Sequence, residues 1–171
     1  ALRDEFEHIQ TAINALGKLT DGGVHFSLNS ATYSGTPFHK IENVIPHVFT
    51  GKHPAGNVGV QIHHISPIRK GETVWTVSLL MLAAIGKLFN TGKYDLKRKI
   101  AVTGPKANNP AYVEGYPGIA IKDVADFYNA SEDLRFVSGD VLTGTNVGKD
   151  GYLGFFDNQI TILEEGNKYE L

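Results

Sequence analysis

Leu2, Phe6, Ile9, Ile13, Leu16 and Leu19 recur at helical spacing, with Asp4, Glu5, Glu7, Gln10, Asn14 and Lys18 mostly on the opposite side. The chain therefore opens on an amphipathic helix. Asp21-Gly22-Gly23 ends it, and Val24 to Leu28 alternates as a strand does. Helix before strand is the order of a wound sheet that began upstream. Asn29 to Asn43 is polar, carries Gly35 and Pro37, and reads as a long irregular excursion. Val44 to Phe49 resumes strand character, and Pro46 within it argues for a sheet edge.

The stretch from His53 to Pro67 joins a rigid Pro54 turn, with Gly56 and Gly59, to Val58, Ile62 and Ile65, which share one face of a short predicted helix. Backbone N–H groups in such a turn can face an anion or ligand. His63 and His64 are neighbours and point in different directions, so they read as surface histidines rather than a metal pair. His53, Gly56, Gly59, His63 and His64 are the candidate binding residues for a ligand or a partner, while the apolar stripe itself reads as core.

The densest apolar stretch follows. Val74 to Val77 is β-branched and aromatic, predicting a short buried strand. Ser78 offers an N-cap hydroxyl, Leu79 to Phe89 is apolar except for Gly86 and Lys87, and Gly92 is a C-terminal stop. A helix apolar all round is expected to be covered on more than one side. The uncharged run from Thr73 to Gly86 falls short of the ~20 residues of a membrane span, which predicts burial in protein.

After the basic run Lys93 to Lys99, read as a solvated linker at a domain junction, the pattern changes. Ile100 to Thr103 and Ala111 to Tyr116 predict a hairpin, and Ile121, Val124, Ala125 and Tyr128 one face of a short helix. Leu134 to Ser138 and Gln159 to Leu163 supply two more strands, with a mobile-looking connection at 144–154 between them. Hairpin, helix, strand, strand is the β-grasp order. The tail Glu164 to Leu171 is expected to fray. The boundary is expected at 98/99, an α/β domain over 1–98 and a β-grasp domain over 99–171.

Composition narrows the chemistry. At 171 residues with 42% hydrophobic content the chain can bury a real core, and a net charge of −2 gives no general attraction to nucleic acid. The absence of cysteine removes disulfides, thiolate zinc sites, iron–sulfur ligation and cysteine nucleophiles together. No nucleotide-binding glycine fingerprint, phosphate loop, nucleophile elbow or zincin motif is present. No charged-then-apolar leader is seen, so an intracellular chain or an excised piece of a longer one is expected.

The segments HPAGNVGVQIHHISPI, VWTVSLLMLAAIGKLFNTGKY, VTGPKANNPAY, FVSGDVLTGT and GYLGFFDNQITILEEG resemble, in order, the NqrA family, which supplies one subunit of the Na+-translocating NADH:quinone oxidoreductase, a bacterial respiratory pump. The resemblance implies a partial Rossmann-like α/β domain followed by a soluble-ligand-binding β-grasp (SLBB) domain, with further parts of the subunit on both sides. It implies a peripheral subunit on the cytoplasmic face of the inner membrane. Its partners would be the other subunits, including the membrane subunits, and the complex would use quinone as substrate, with His53, Gly56, Gly59, His63 and His64 as the candidate quinone- or partner-binding residues. That family is in turn similar to the flavin- and NADH-binding subunit of respiratory complex I. There a glycine followed by two acidic residues, and paired asparagines at a strand-to-helix turn, serve the nucleotide site. Here Gly56 is followed by Asn57 and Val58, and the turn reads Thr76-Val77-Ser78. The resemblance therefore implies an inherited fold without flavin, NADH or iron–sulfur bound by this chain. A stand-alone β-grasp module that binds a small ligand or a polypeptide is the alternative.

Overall fold

The computed structural model describes residues 2–125 and 133–166, and the chain divides into two compact units, 1–95 and 96–171. In the first, a 3₁₀ turn over Arg3–Glu5 leads into α1, Phe6–Leu16. The strands β1, His25–Asn29, and β2, Ile45–Phe49, pair in parallel, with His25 opposite Ile45 and Asn29 opposite Phe49.

Between these strands the polar excursion is ordered rather than loose. Asn29 Oδ1 accepts the Ala31 amide at 2.8 Å as the one-turn helix α2, Ser30–Tyr33, begins, and Pro37 opens a 3₁₀ turn over Pro37–Lys40. Phe38 and Ile41 bury themselves in the core. Gln10 fastens the far end of the excursion to α1, accepting the Glu42 amide at 2.9 Å and donating to the Glu42 carbonyl at 3.0 Å.

The remaining helices of this unit are α3, Val58–Ile65, and α4, Leu79–Thr91. Ser78 caps α4 as its position predicts, its Oγ accepting the Met81 amide at 3.3 Å, and Gly92 ends it at φ 69°. Ile9, Ala12 and Ile13 of α1 share one buried cluster with Phe26 and Leu28 of β1 and Leu82 and Ala83 of α4. The helices touch at Gly86, where any Cβ would run into the carbonyl of His8. The glycine costs about 1 kcal/mol of helix propensity and is required by that approach. Asn90 Nδ2 reaches His8 Nδ1 at 2.8 Å one turn further on.

Two expectations fail here. Val74 to Val77 does not form a buried strand: the residues lie outside every strand and are exposed, Trp75 at 92%. A strand needs a neighbour to take its amides and carbonyls, and none of the described residues does so. Nor is α4 covered on several sides. Only Leu82, Ala83 and Gly86 are buried, along the seam with α1, and Phe89 is 63% exposed.

The second unit holds β3, Arg98–Thr103; β4, Ala111–Gly115; α5, Ile121–Ala125; β5, Leu134–Ser138; β6, Thr145–Asn146; and β7, Gln159–Glu164. Their order in the sheet is β4-β3-β7-β5-β6, with β3 and β7 parallel and the other pairs antiparallel. The last strand slots between the first and third, which is the β-grasp arrangement. Ile100, Val102, Ile121, Val124, Phe136, Leu153, Ile160 and Ile162 form its core.

Two details go beyond or against the sequence reading. The 144–154 connection contributes β6, paired to Val137 and Ser138, and its Leu153 is fully buried. The tail is fastened at its start: the Glu165 amide donates to Asp133 O at 3.1 Å, and Arg135 bonds the Glu165 carboxylate at 2.6 Å. The expected helical position of Tyr128, and the tail from Asn167 on, lie outside the described residues.

Gly86→Ala should destabilise the first unit by roughly 1–3 kcal/mol, because the seam must open for a single methyl. Urea unfolding followed by circular dichroism checks this; a midpoint unchanged or raised would mean that α1 and α4 do not meet at this glycine.

Candidate functional site

The segment from Lys52 to Ser66 is a turn feeding a two-turn helix. The Ala55 amide donates to Lys52 O at 3.0 Å and the Asn57 amide to Pro54 O at 2.8 Å, closing the turn around a cis His53–Pro54 peptide. Gln61 Nε2 donates back to Ala55 O at 3.2 Å. The Ala55 and Asn57 amides are thus committed within the turn, so the backbone is less open to an anion than its Pro-Gly content suggests.

His53, His63 and His64 are all exposed, the last two with rings 5.8 Å apart and edge-on. The structure groups His63 with His64 at the end of α3 and leaves His53 on the preceding turn. None of these histidines, nor Gly56 or Gly59, lines an open groove of about 390 Å³ between the end of α1 and the start of β1, bordered by Ile13, Gly17, Lys18, Val24 and Asn43.

The Val58, Ile62 and Ile65 stripe, expected in the core, is not buried: no residue of α3 is, and Val58 is exposed. Eight residues cannot bury a face unless another element lies over it. Gly56 and Gly59 have no positive φ, and a Cβ at either would meet nothing within 4 Å. Unlike Gly86, they are not demanded by any packing in this unit.

A second surface escaped the sequence reading. In the β-grasp unit two turns lift large apolar side chains into solvent, Leu142 at 90% exposure on one and Phe156 at 86% on the other. Asp140 builds the first turn: its Oδ1 accepts the amides of Leu142 at 2.7 Å and Thr143 at 2.9 Å, and its Oδ2 accepts the Thr143 hydroxyl at 2.8 Å. Those bonds, the hydroxyl's first, hold the Asp140 carboxyl below its ordinary range.

Ser138, buried on β5, builds the second turn by donating to Asp157 Oδ2 at 2.5 Å and accepting the Gly154 amide at 2.9 Å. Arg98 Nη2 adds bonds of 2.7 Å to the carbonyls of Phe155 and Asp157. Partial desolvation draws this guanidinium below its usual value, with the Asp157 charge opposing. The turns meet at Gly139, whose Cβ would stand 3.1 Å from Gly144 Cα and 3.5 Å from Asp157. The signal was present as closely spaced glycines and aspartates around exposed-type aromatics, a pattern that mimics a flexible connection.

His25 and His47 were also passed over. The parallel register sets their strands so that the rings stack at 5.1 Å, with Nδ1 of one 2.9 Å from Nε2 of the other.

Comparison with known proteins decides the family. Residues 1–94 match the family described as the NqrA second alpha/beta domain, and residues 99–149 match the NQRA C-terminal domain. The chain belongs to the NqrA family. It is 36% identical over 171 residues to the NqrA subunit of the Na(+)-translocating NADH-quinone reductase of Rhodopirellula baltica, covering 99% of this chain and 37% of that protein. The corresponding subunits of Alcanivorax borkumensis and Vibrio parahaemolyticus are 36% and 33% identical, again over 99% of this chain and 38% of theirs. The chain therefore spans little more than a third of the relatives' length.

Placed on the NqrA domains, the histidine segment and the exposed 74–77 stretch fall in the second α/β domain. The Asp140 turn falls in the C-terminal one, while Phe155 and Phe156 lie past the matched region. Among the described residues no group of three His, Asp or Glu side chains converges as a metal site, and no helix is long and apolar enough to cross a membrane.

The Asp140 turn should be acid-sensitive. A carboxyl whose folded pKa is lowered contributes stability that is present above its unfolded value of about 4 and lost as pH falls through the folded one. Asp140→Ala should therefore be less stable than the parent at pH 7, and the difference should shrink on acidification toward about pH 3. Urea midpoints at both pH values measure it; a difference that stays constant with pH would remove Asp140 ionisation from the account.

Proposed function

We propose that this chain is part of the peripheral NqrA subunit of a Na+-translocating NADH:quinone reductase, contributing to quinone binding and to assembly while other subunits carry the electrons. The carrying observation is the amount of ordered apolar surface left open in a chain that is only 37% as long as its relative. Turns fastened by Asp140, Ser138 and Arg98 hold Leu142 and Phe156 outward, and α3 leaves Val58 at its start and His63 and His64 in its last turn exposed. Preorganised apolar groups beside hydrogen-bonding side chains suit docking. A quinone, with two carbonyl acceptors on an apolar ring, would be served by the same chemistry at the His53–His64 segment.

The residues do not fit a flavin. Asn57 and Val58 stand where the flavin-binding relatives place acidic groups, Gly56 opens on solvent, and Ser78 Oγ is engaged by the Met81 amide. An isoalloxazine here would lack polar partners, each unmade bond costing about 1–3 kcal/mol. The reading accordingly places flavins and iron–sulfur centres in other subunits, and this one on the cytoplasmic face of the membrane.

In the assembled reductase, His53→Ala, His63→Ala and His64→Ala should each raise the quinone KM or lower the yield of intact complex, while NADH oxidation by an artificial acceptor persists. Normal quinone kinetics and normal assembly in all three variants would retire the histidine face. The purified subunit should show no flavin absorbance, and a stoichiometric yellow chromophore would contradict the cofactor-free reading. The closed β-grasp core favours a second reading, an independent ligand- or protein-binding module; a full-length subunit that does not co-purify with the other reductase subunits would favour it.

A further inference from the structure

Val74, Trp75, Thr76 and Val77 have the composition of a strand and none of its bonding. All four are β-branched or aromatic, types that fit a pleated, half-buried surface. Yet among the described residues no backbone hydrogen bond joins them to another segment, and Trp75, the chain's one tryptophan, is 92% exposed. An exposed indole flanked by two exposed valines is a poor surface for a folded subunit.

Their place in the chain says what is missing. They run directly into Ser78, which caps α4, and a strand that feeds straight into a helix is the repeating piece of a wound α/β sheet. Among the described residues the sheet of this unit is parallel and two-stranded, β1 with β2. Parallel sheets are stable when several strands are covered on both faces, and two strands alone are marginal. Ile45 and Val48 of β2 are exposed as well, as they would be with their covering layer elsewhere.

We propose that residues 74–77 form a strand of the second α/β domain's sheet, and that a segment of the same subunit lying ahead of residue 1 pairs with it. The occupant follows from the length and order of the relatives. This chain matches 37–38% of them, and the regions matched are a second α/β domain and then a C-terminal domain, so the subunit carries an earlier region ahead of both. A strand from that region takes the amides and carbonyls of 74–77 that face it, and the sheet it extends gives the layers packed on its faces a surface that covers Trp75 and the valines.

The test uses the isolated full-length subunit. In hydrogen–deuterium exchange, the amides of Trp75, Thr76 and Val77 should exchange at least about a hundredfold more slowly than those of the neighbouring Lys70–Thr73 loop. In separate variants, p-benzoylphenylalanine in place of Trp75 or Thr76 should, on irradiation, link to peptides from the region ahead of residue 1. Fast exchange in the wild-type isolated subunit overturns the proposal, as does protection that arises only when the other subunits are added. Links confined to residues 1–171, or to the region beyond residue 171, overturn it as well. The exchange experiment needs no substitution, so it decides the matter even if the variants fail to fold.

Discussion

The first unit depends on the approach of two helices at one glycine. With no side chain at Gly86, the backbone of α4 rests on the His8 carbonyl of α1, and Leu82 and Ala83 drop into the same cluster as Ile9, Ala12 and Ile13. Because α1 also packs on Phe26 and Leu28, this seam joins α4 to the two strands. Away from the seam burial falls off: Leu88 and Phe89 of α4 are exposed, residues 74–77 are all exposed, and no residue of α3 is buried. The gradient follows from chain length, since ninety-odd residues with only two strands have too little apolar partner surface to cover a helix as apolar as Leu79–Phe89.

The β-grasp unit meets the same demand differently. The parallel pairing of β3 with β7 puts Ile100 and Val102 beside Ile160 and Ile162, and α5 closes the core with Ile121 and Val124. The sheet is complete enough to spare large apolar side chains for its surface. Holding them there takes a polar scaffold behind them, in which Ser138, Thr161 and Asp157 bond to backbone and to one another, and Arg98 fastens the Phe155–Asp157 turn from β3. Exposed aromatics on rigid turns lose little further entropy on docking, which is what separates a binding surface from a loose loop.

How far the sequence could be read follows from which physics is local. The α1 periodicity, the Ser78 cap, the Gly92 stop and the hairpin from Ile100 are set by neighbours in the chain, and all appear where the residues place them. The β-grasp order was legible because each strand carries its own alternation. The family was legible from motifs that span nearly the whole chain. What could not be read depends on partners distant in sequence. Val74 to Val77 has strand composition and no neighbour to pair with, the Val58/Ile62/Ile65 stripe has a helical face and no cover, and the Asp140 and Ser138 networks become visible only once Gly139 brings two turns together.

The second unit closes a five-stranded sheet over its core, while the first leaves much of its apolar surface uncovered. Native-state hydrogen exchange of the 171-residue chain across graded urea tests it most directly. The amides of Val102, Phe136 and Ile162 should exchange only through a large opening that urea strongly promotes, while those of Phe26, Leu28 and Leu82 should exchange through a distinctly smaller one. A single opening free energy shared by both sets at every urea concentration would contradict it.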